Sequence, residues 1–168
     1  MDNIVLVGMP GAGKSTVGVI LAKTLGMNFV DTDLEIQRSH GRLLQDMIDE
    51  FGIAGFLKAE EQAILKGSYN HTVIATGGSV VYSSKAMAHL KKGAVVIYLK
   101  VDIGTLQKRI NNIATRGIAM SRNQTLNDIY LERTPLYEQY ADIIIDCSDK
   151  DVEGAVESIL GSLNPSNP

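Results

Sequence analysis

The residues Gly8-Met9-Pro10-Gly11-Ala12-Gly13-Lys14-Ser15 fit the pattern G-x-x-x-x-G-K-[ST] of a phosphate-binding loop. Glycines let backbone N–H groups turn inward around a phosphate, Lys14 adds a mobile positive charge, and Ser15 offers a hydroxyl to Mg²⁺. Gly11, Ala12, Gly13 and Thr16 complete the expected cradle. Ile4-Val5-Leu6-Val7 before the loop reads as a short buried strand, and Lys14 to Leu25 after it reads as a helix. A bound phosphate would then lie on a helix N-terminus, where unpaired N–H groups and the helix dipole favour anions.

Four further places carry chemistry. Asp31 and Asp33 stand two residues apart at the end of a second strand, and in extended backbone they would point to one face. One could hold a Mg²⁺-bound water while the other meets an acceptor hydroxyl; a turn-forming pair is the plainer alternative. Gly77-Gly78 offers backbone N–H groups that a small ligand could approach closely, or a simple tight turn. Arg116 lies in a polar loop from which it could fold over a nucleotide and offset charge on a transferred phosphoryl group. Arg133 falls on the apolar side of its helix with Leu126, Ile129 and Tyr130, where a charge needs a partner.

The elements that must position these residues follow from periodicity. Strands are expected at Asn28–Asp31, Thr72–Thr76, Ala94–Leu99 and Ile143–Ile145, besides the first. Helices are expected at Leu43–Phe51, Ile53–Lys66, Ser84–Lys91, Asp102–Ile113, Leu126–Arg133 and Val152–Leu163. Residues after Asp33 read as a polar stretch punctuated by Gly41. Thr134-Pro135 reads as the cap and first-turn proline of another short helix. The helix over Ile53–Lys66 carries a stripe of Ile53, Phe56, Leu57, Glu60, Ala63 and Ile64, in which Glu60 is the one charged member. Short apolar strands alternating with helices mean an α/β fold, a parallel sheet covered on both faces. Ligands in such sheets bind at the carboxyl ends of the strands, which is where the marked residues fall.

The chain has 168 residues, 45% of them hydrophobic, enough for one domain over residues 1–163, with residues 114–123 as a mobile loop and 164–168 as a frayed tail. Sixteen basic residues against nineteen acidic give a net charge of −3, which argues against a nucleic-acid partner. A single cysteine excludes an internal disulfide, and no Cys/His cluster has zinc spacing. The three histidines, His40, His71 and His89, read as surface or loop residues. No signal peptide or membrane span is recognisable, so a cytoplasmic protein without a membrane partner, and a monomer, is expected.

Taken together, GMPGAGKST at 8–16, the D-x-D of Asp31 and Asp33, the Phe56…Glu60 helix, Gly77-Gly78, Arg116 and Arg133-Thr134-Pro135-Leu136-Tyr137 resemble the shikimate kinase family over essentially the whole chain. The resemblance implies a three-layer P-loop kinase fold with strand order 2-3-1-4-5 and a lid loop. It also implies transfer of the ATP γ-phosphate to a hydroxyl of a small-molecule acceptor, shikimate. Asp33 would bind and help activate that hydroxyl, and Asp31 would support Mg²⁺. Arg116 would be the lid arginine, Arg133 would grip the acceptor carboxylate, and Arg109 would lie near the adenine.

The departures fall on the acceptor side. The family's F-R-x-x-E reads Phe56-Leu57-Lys58-Ala59-Glu60, so its carboxylate-gripping arginine is Leu57, and Lys58 is turned about 100° away along the helix. The triple glycine reads Gly77-Gly78-Ser79, and the lid's R-P-L-L reads Arg116-Gly117-Ile118-Ala119. Losing one charge-assisted contact costs about 1.5–3 kcal/mol, roughly tenfold to a hundredfold in affinity. Two other readings therefore stand beside shikimate: a same-fold kinase for a less anionic hydroxyl compound, and an ATP-binding module without catalysis. Glu60, deprived of its arginine, is expected to draw Arg133 across the cleft or to take up a proton.

Overall fold

The computed structural model of the chain describes residues 2–110 and 117–164. Five strands form one parallel sheet in the order β2-β3-β1-β4-β5. They are β1 (Asn3–Val7), β2 (Asn28–Asp31), β3 (Thr72–Ala75), β4 (Ala94–Lys100) and β5 (Ile143–Asp146). All five residues of β1 are buried. Side chains alternate between faces along a strand, so continuous burial means that the sheet is covered on both sides.

The covering helices are α1 (Lys14–Leu25), α2 (Thr32–His40), α3 (Leu44–Lys66), α4 (Ser84–Leu90), α5 (Ile103–Arg109), α6 (Leu126–Tyr140) and α7 (Val152–Leu163). A short 3₁₀ turn spans Val80–Tyr82. Helices α1 and α7 pack together, while α3 packs against α2, α4 and the 3₁₀ turn. Gly18 lets α1 lie close on the sheet, since a Cβ there would come within 2.7 Å of the Phe29 ring. The main core surrounds β1 and β4, and a smaller one gathers Ile36, Met47, Ile48 and Phe56 beneath α2 and α3.

Three elements differ from the expectations. The stretch after Asp31 is the helix α2, not an irregular segment. Its N-cap is Asp31, whose Oδ1 accepts from the N–H groups of Asp33 and Leu34 at 3.0 and 3.4 Å. Only Thr32 and Ile36 of α2 are buried, so it carries almost no apolar stripe to reveal it. Secondly, α6 runs unbroken through Thr134-Pro135. Proline removes the N–H that would reach the Leu131 carbonyl one turn back, and beside it the Thr134 hydroxyl bonds the Tyr130 carbonyl at 2.7 Å. Thirdly, α5 begins at Ile103 with Asp102 as its cap and ends at Arg109; Ile113 lies outside the described residues. The expected pair of helices around Gly52 is α3, bent where Gly52 takes φ 71° and ψ 174°. His40 and His71 are exposed, and His89 on α4 is half-buried.

Candidate active site

The carboxyl ends of β1, β2 and β3 open into one cleft of about 190 Å³. The loop after β1 forms its floor. Gly11 and Gly13 hold φ of 84° and 90°, in the left-handed region where a side chain is strained. Gly13 is also the N-cap of α1, and it has no side chain to occupy the helix's unpaired N–H groups. The first turn of α1 has no acidic residue. The Ala12 N–H is taken by the Met9 carbonyl at 3.1 Å, and no capping side chain or first-turn carboxylate competes for the other loop N–H donors.

Lys14 is 8% exposed, and its Nζ donates to the Gly8 and Met9 carbonyls at 2.8 Å each. Ser15 Oγ donates to Asp31 Oδ2 at 2.6 Å, so a hydroxyl and a carboxylate oxygen meet at the rim. Two oxygen donors beside a phosphate cradle suit Mg²⁺, a hard cation that takes a few protein oxygens and completes its shell with phosphate and water. Gly11, Gly13, Thr16 and the loop's Lys14 and Ser15 all line the cleft; Ala12 is buried behind it. Arg109 Nη1 donates to the Gly11 carbonyl at 3.3 Å, placing it against the outside of the same loop. Arg116 lies outside the described residues, as does the start of the expected lid.

Asp31 and Asp33 do not share a face by strand alternation, because Asp33 already belongs to the first turn of α2. Asp31 turns to Ser15, and Asp33 lines the cleft beside Gly77. Burial, helped by the nearby Asp31 charge, raises the Asp33 carboxyl to about 6, against the pull of Lys14. That range suits a group that must exchange a proton near neutrality.

The opposite wall comes from α3, the turn after β3, and α6. Gly77 is confined by two carboxylates: a Cβ on it would lie 2.7 Å from both Asp33 Oδ1 and Glu60 Oε2. A Cβ on Gly78 would lie 2.9 Å from Pro10 Cδ and 3.1 Å from Arg133 Nη1, so that backbone threads between the loop and α6. Its carbonyl accepts from the Tyr137 hydroxyl at 2.6 Å.

Arg133 is 1% exposed and lines the cleft. Its Nη2 donates to the Ala119 carbonyl at 2.7 Å, its Nε to the Tyr82 hydroxyl at 3.2 Å, and its guanidinium lies 5.2 Å from the Tyr82 ring centre. Tyr82 in turn donates to Glu132. These partners hold the guanidinium in place, and the expected pairing with Glu60 is absent: the two form no ion pair. Glu60 accepts from Ser79 Oγ at 2.8 Å through Oε1, while Oε2 has no hydrogen-bond partner. Burial pushes its carboxyl up to about 7, opposed by the Ser79 bond. Of the two expected outcomes, the pairing does not form, and the raised carboxyl favours the second.

The structure brings the expected loop, Asp33, Gly77, Gly78 and Arg133 to one cleft. Tyr82 and Ala119, which orient Arg133 from 51 and 14 residues away, were not expected there, because they carry no local signal. Thr76 also lines the cleft, its hydroxyl bonded to the Leu6 carbonyl at 2.8 Å; its position before Gly77 at a strand end was the available sign.

A family model described as Shikimate kinase matches residues 10–164. A shikimate kinase of Thiobacillus denitrificans is 36% identical over 166 residues, covering 97% of this chain and 91% of that protein. One from Caldanaerobacter subterraneus subsp. tengcongensis is 36% identical over 164 residues, 95% of each. Among solved structures, the shikimate kinase from Acinetobacter baumannii in complex with shikimate superposes with a TM-score of 0.91 at 30% identity, covering 99% of this chain and 95% of that one. Among the described residues, no helix is long and apolar enough to cross a membrane.

Proposed function

The chain belongs to the shikimate kinase family, and we propose that it transfers the γ-phosphate of ATP to a hydroxyl of shikimate in the cleft described above. The observation that carries this reading is the convergence of an anion cradle and the buried Asp33 carboxyl, raised to about 6, on one small cleft. The N–H groups of the loop from Gly11 to Thr16 hold the triphosphate, with Lys14 over its terminal groups and Arg109 toward the base. Ser15 and Asp31 would hold Mg²⁺, which when bound neutralises charge on the phosphate oxygens. Asp33 accepts a hydrogen bond from the acceptor hydroxyl, orients it toward the terminal phosphorus, and takes its proton as the new P–O bond forms and the bond from that phosphorus to the β–γ bridging oxygen breaks, releasing ADP. Gly77 and Gly78 leave room for the acceptor ring, and Arg133 meets its carboxylate. Positioning and charge stabilisation supply nearly all of the catalysis in such a transfer. The protein works in this reading as a single-domain monomer, residues 1–163, in the cytoplasm.

Incubation of the purified protein with ATP, Mg²⁺ and shikimate, followed by mass spectrometry, tests this. One phosphoryl group should appear on shikimate for each ADP formed. ADP without a phosphorylated product, or a product only from a sugar or polyol in a parallel panel, would refute shikimate as the acceptor.

A further inference from the structure

Glu60 has no assigned part in the transfer, yet its surroundings are specific. It is 2% exposed, it has one hydrogen bond, from Ser79, and its Oε2 is buried without a partner. That oxygen and Asp33 Oδ1 both lie 2.7 Å from the position a Gly77 Cβ would take, so they are at most twice that distance apart. A hollow of about 270 Å³ adjoins the cleft at Ser79, and it is lined by Leu57, Lys58, Glu60, Glu61, Tyr82 and Ser83.

A carboxyl so buried is stable either beside a cation or as the neutral acid with a hydrogen bond. Position 57, three residues before Glu60 on the same helix face and in the same hollow, is where a cation would reach it. That residue is leucine. The charged groups that face Glu60 are Asp33 from α2, Lys14 from α1 and Arg133 from α6. Lys14 is held by the loop carbonyls, Arg133 by Tyr82 and Ala119, and Asp33 repels. Its helix neighbours offer no remedy: Lys58 is exposed, and Glu61 accepts from Ser83. Ser79 donates to Oε1, so a proton on Glu60 belongs on Oε2, the side of Asp33 and Gly77.

We propose that Leu57 and Ser79 act together as a specificity device, Leu57 by withholding a cation so that buried Glu60 stands as an uncharged wall of the acceptor pocket and Ser79 by fixing which oxygen faces the cleft, so that the acceptor is selected by its hydroxyls more than by its carboxylate. The device rests on the reading of this cleft as an acceptor site. Ser79 and Glu60 are positioning residues in it, while Arg133 alone among the described residues of that wall meets negative charge. The preferred ligand class is a compact ring bearing several hydroxyls, whether or not it carries an anionic group.

The test compares shikimate with its methyl ester, which keeps the hydroxyls and removes the charge. In the wild-type protein the ratio of KM values, ester to acid, should lie below about tenfold, the lower bound of one charge-assisted contact; a larger ratio overturns the proposal without any variant. Leu57→Arg should raise that ratio at least tenfold through KM, with the KM for ATP unchanged. Ser79→Gly alone should raise KM for both compounds, and in the Leu57→Arg background it should cost at least threefold less, because the arginine then partners Glu60. Additive effects would make Ser79 a packing residue only. Failure of the wild type to phosphorylate either compound would refute the kinase reading itself. Normal turnover with an unaltered ratio in Leu57→Arg would refute only this device.

Discussion

The two walls of the cleft obtain their order from different distances along the chain. On the nucleotide wall, Lys14 bonds carbonyls five and six residues back, and Gly13 sits directly at the start of α1. On the acceptor wall, Glu60 is held from 19 residues away and Arg133 from 51 and 14. The loop conformation is nearly self-contained, because glycine torsions and a helix N-terminus create the anion site before any ligand arrives. The acceptor wall instead carries stored electrostatic cost: two carboxyls, at about 6 and about 7, lie against one glycine. One wall can be preserved by a short motif, whereas the other changes character when a single distant residue changes.

Replacing Lys14 by alanine should produce the largest effect. Turnover should fall by about 10³-fold or more, as expected for removal of charge stabilisation from a phosphoryl transfer. The rise in melting temperature caused by ATP with Mg²⁺ should largely vanish, since only a ligand bound to the native state stabilises it. ADP release and a thermal melt check the two effects. An altered shikimate KM with intact nucleotide response would break the division between the walls.

On the other wall, Arg133→Lys keeps the charge but loses the forked geometry that reaches Tyr82 and Ala119 together. The KM for shikimate should rise severalfold but by less than about tenfold, with the KM for ATP unchanged. Steady-state kinetics with each substrate varied separately would show whether the effect stays on one side.

A smaller and purely energetic effect belongs to Glu60. Its carboxyl is raised in the folded protein, so the native state binds a proton more tightly than the unfolded chain does. Stability is therefore full at pH below the ordinary carboxylate value and declines as pH rises toward about 7. The total loss is on the order of 3 kcal/mol. Glu60→Gln should flatten the fall in melting temperature between pH 5 and pH 8, leaving a weaker slope from Asp33. Parallel curves for the two proteins would show that Glu60 ionises freely in the fold.

The same difference in range explains what could be read from the sequence. The five strands, the loop and its helix were legible because apolar runs and glycine spacing are local signals. Strand order came from resemblance, since local pattern does not say that β3 lies between β2 and β1. Helix α2 was hidden because only Thr32 and Ile36 face inward, and helical propensity without a stripe looks like loop. Pro135 misled in the opposite direction: a proline signals a helix start, but α6 absorbs it in mid-helix. Asp31 meets Ser15 and Asp33 lines the cleft, but not through the strand alternation expected of them, because α2 begins between them. The Arg133–Glu60 pairing failed because Tyr82 and Ala119 already take the guanidinium, which no spacing could show.

The most direct test of the account is a single comparison on Asp33→Asn protein: the affinity for ATP with Mg²⁺ by calorimetry, and kcat with saturating shikimate. Asp33 stands where the two walls meet, and its proposed role is toward the acceptor hydroxyl alone. Nucleotide affinity should stay within about twofold of wild type while kcat falls by about 10²–10⁴, the range for loss of a positioned proton acceptor. A variant with near-normal kcat, or one that loses ATP affinity in step with kcat, would contradict it.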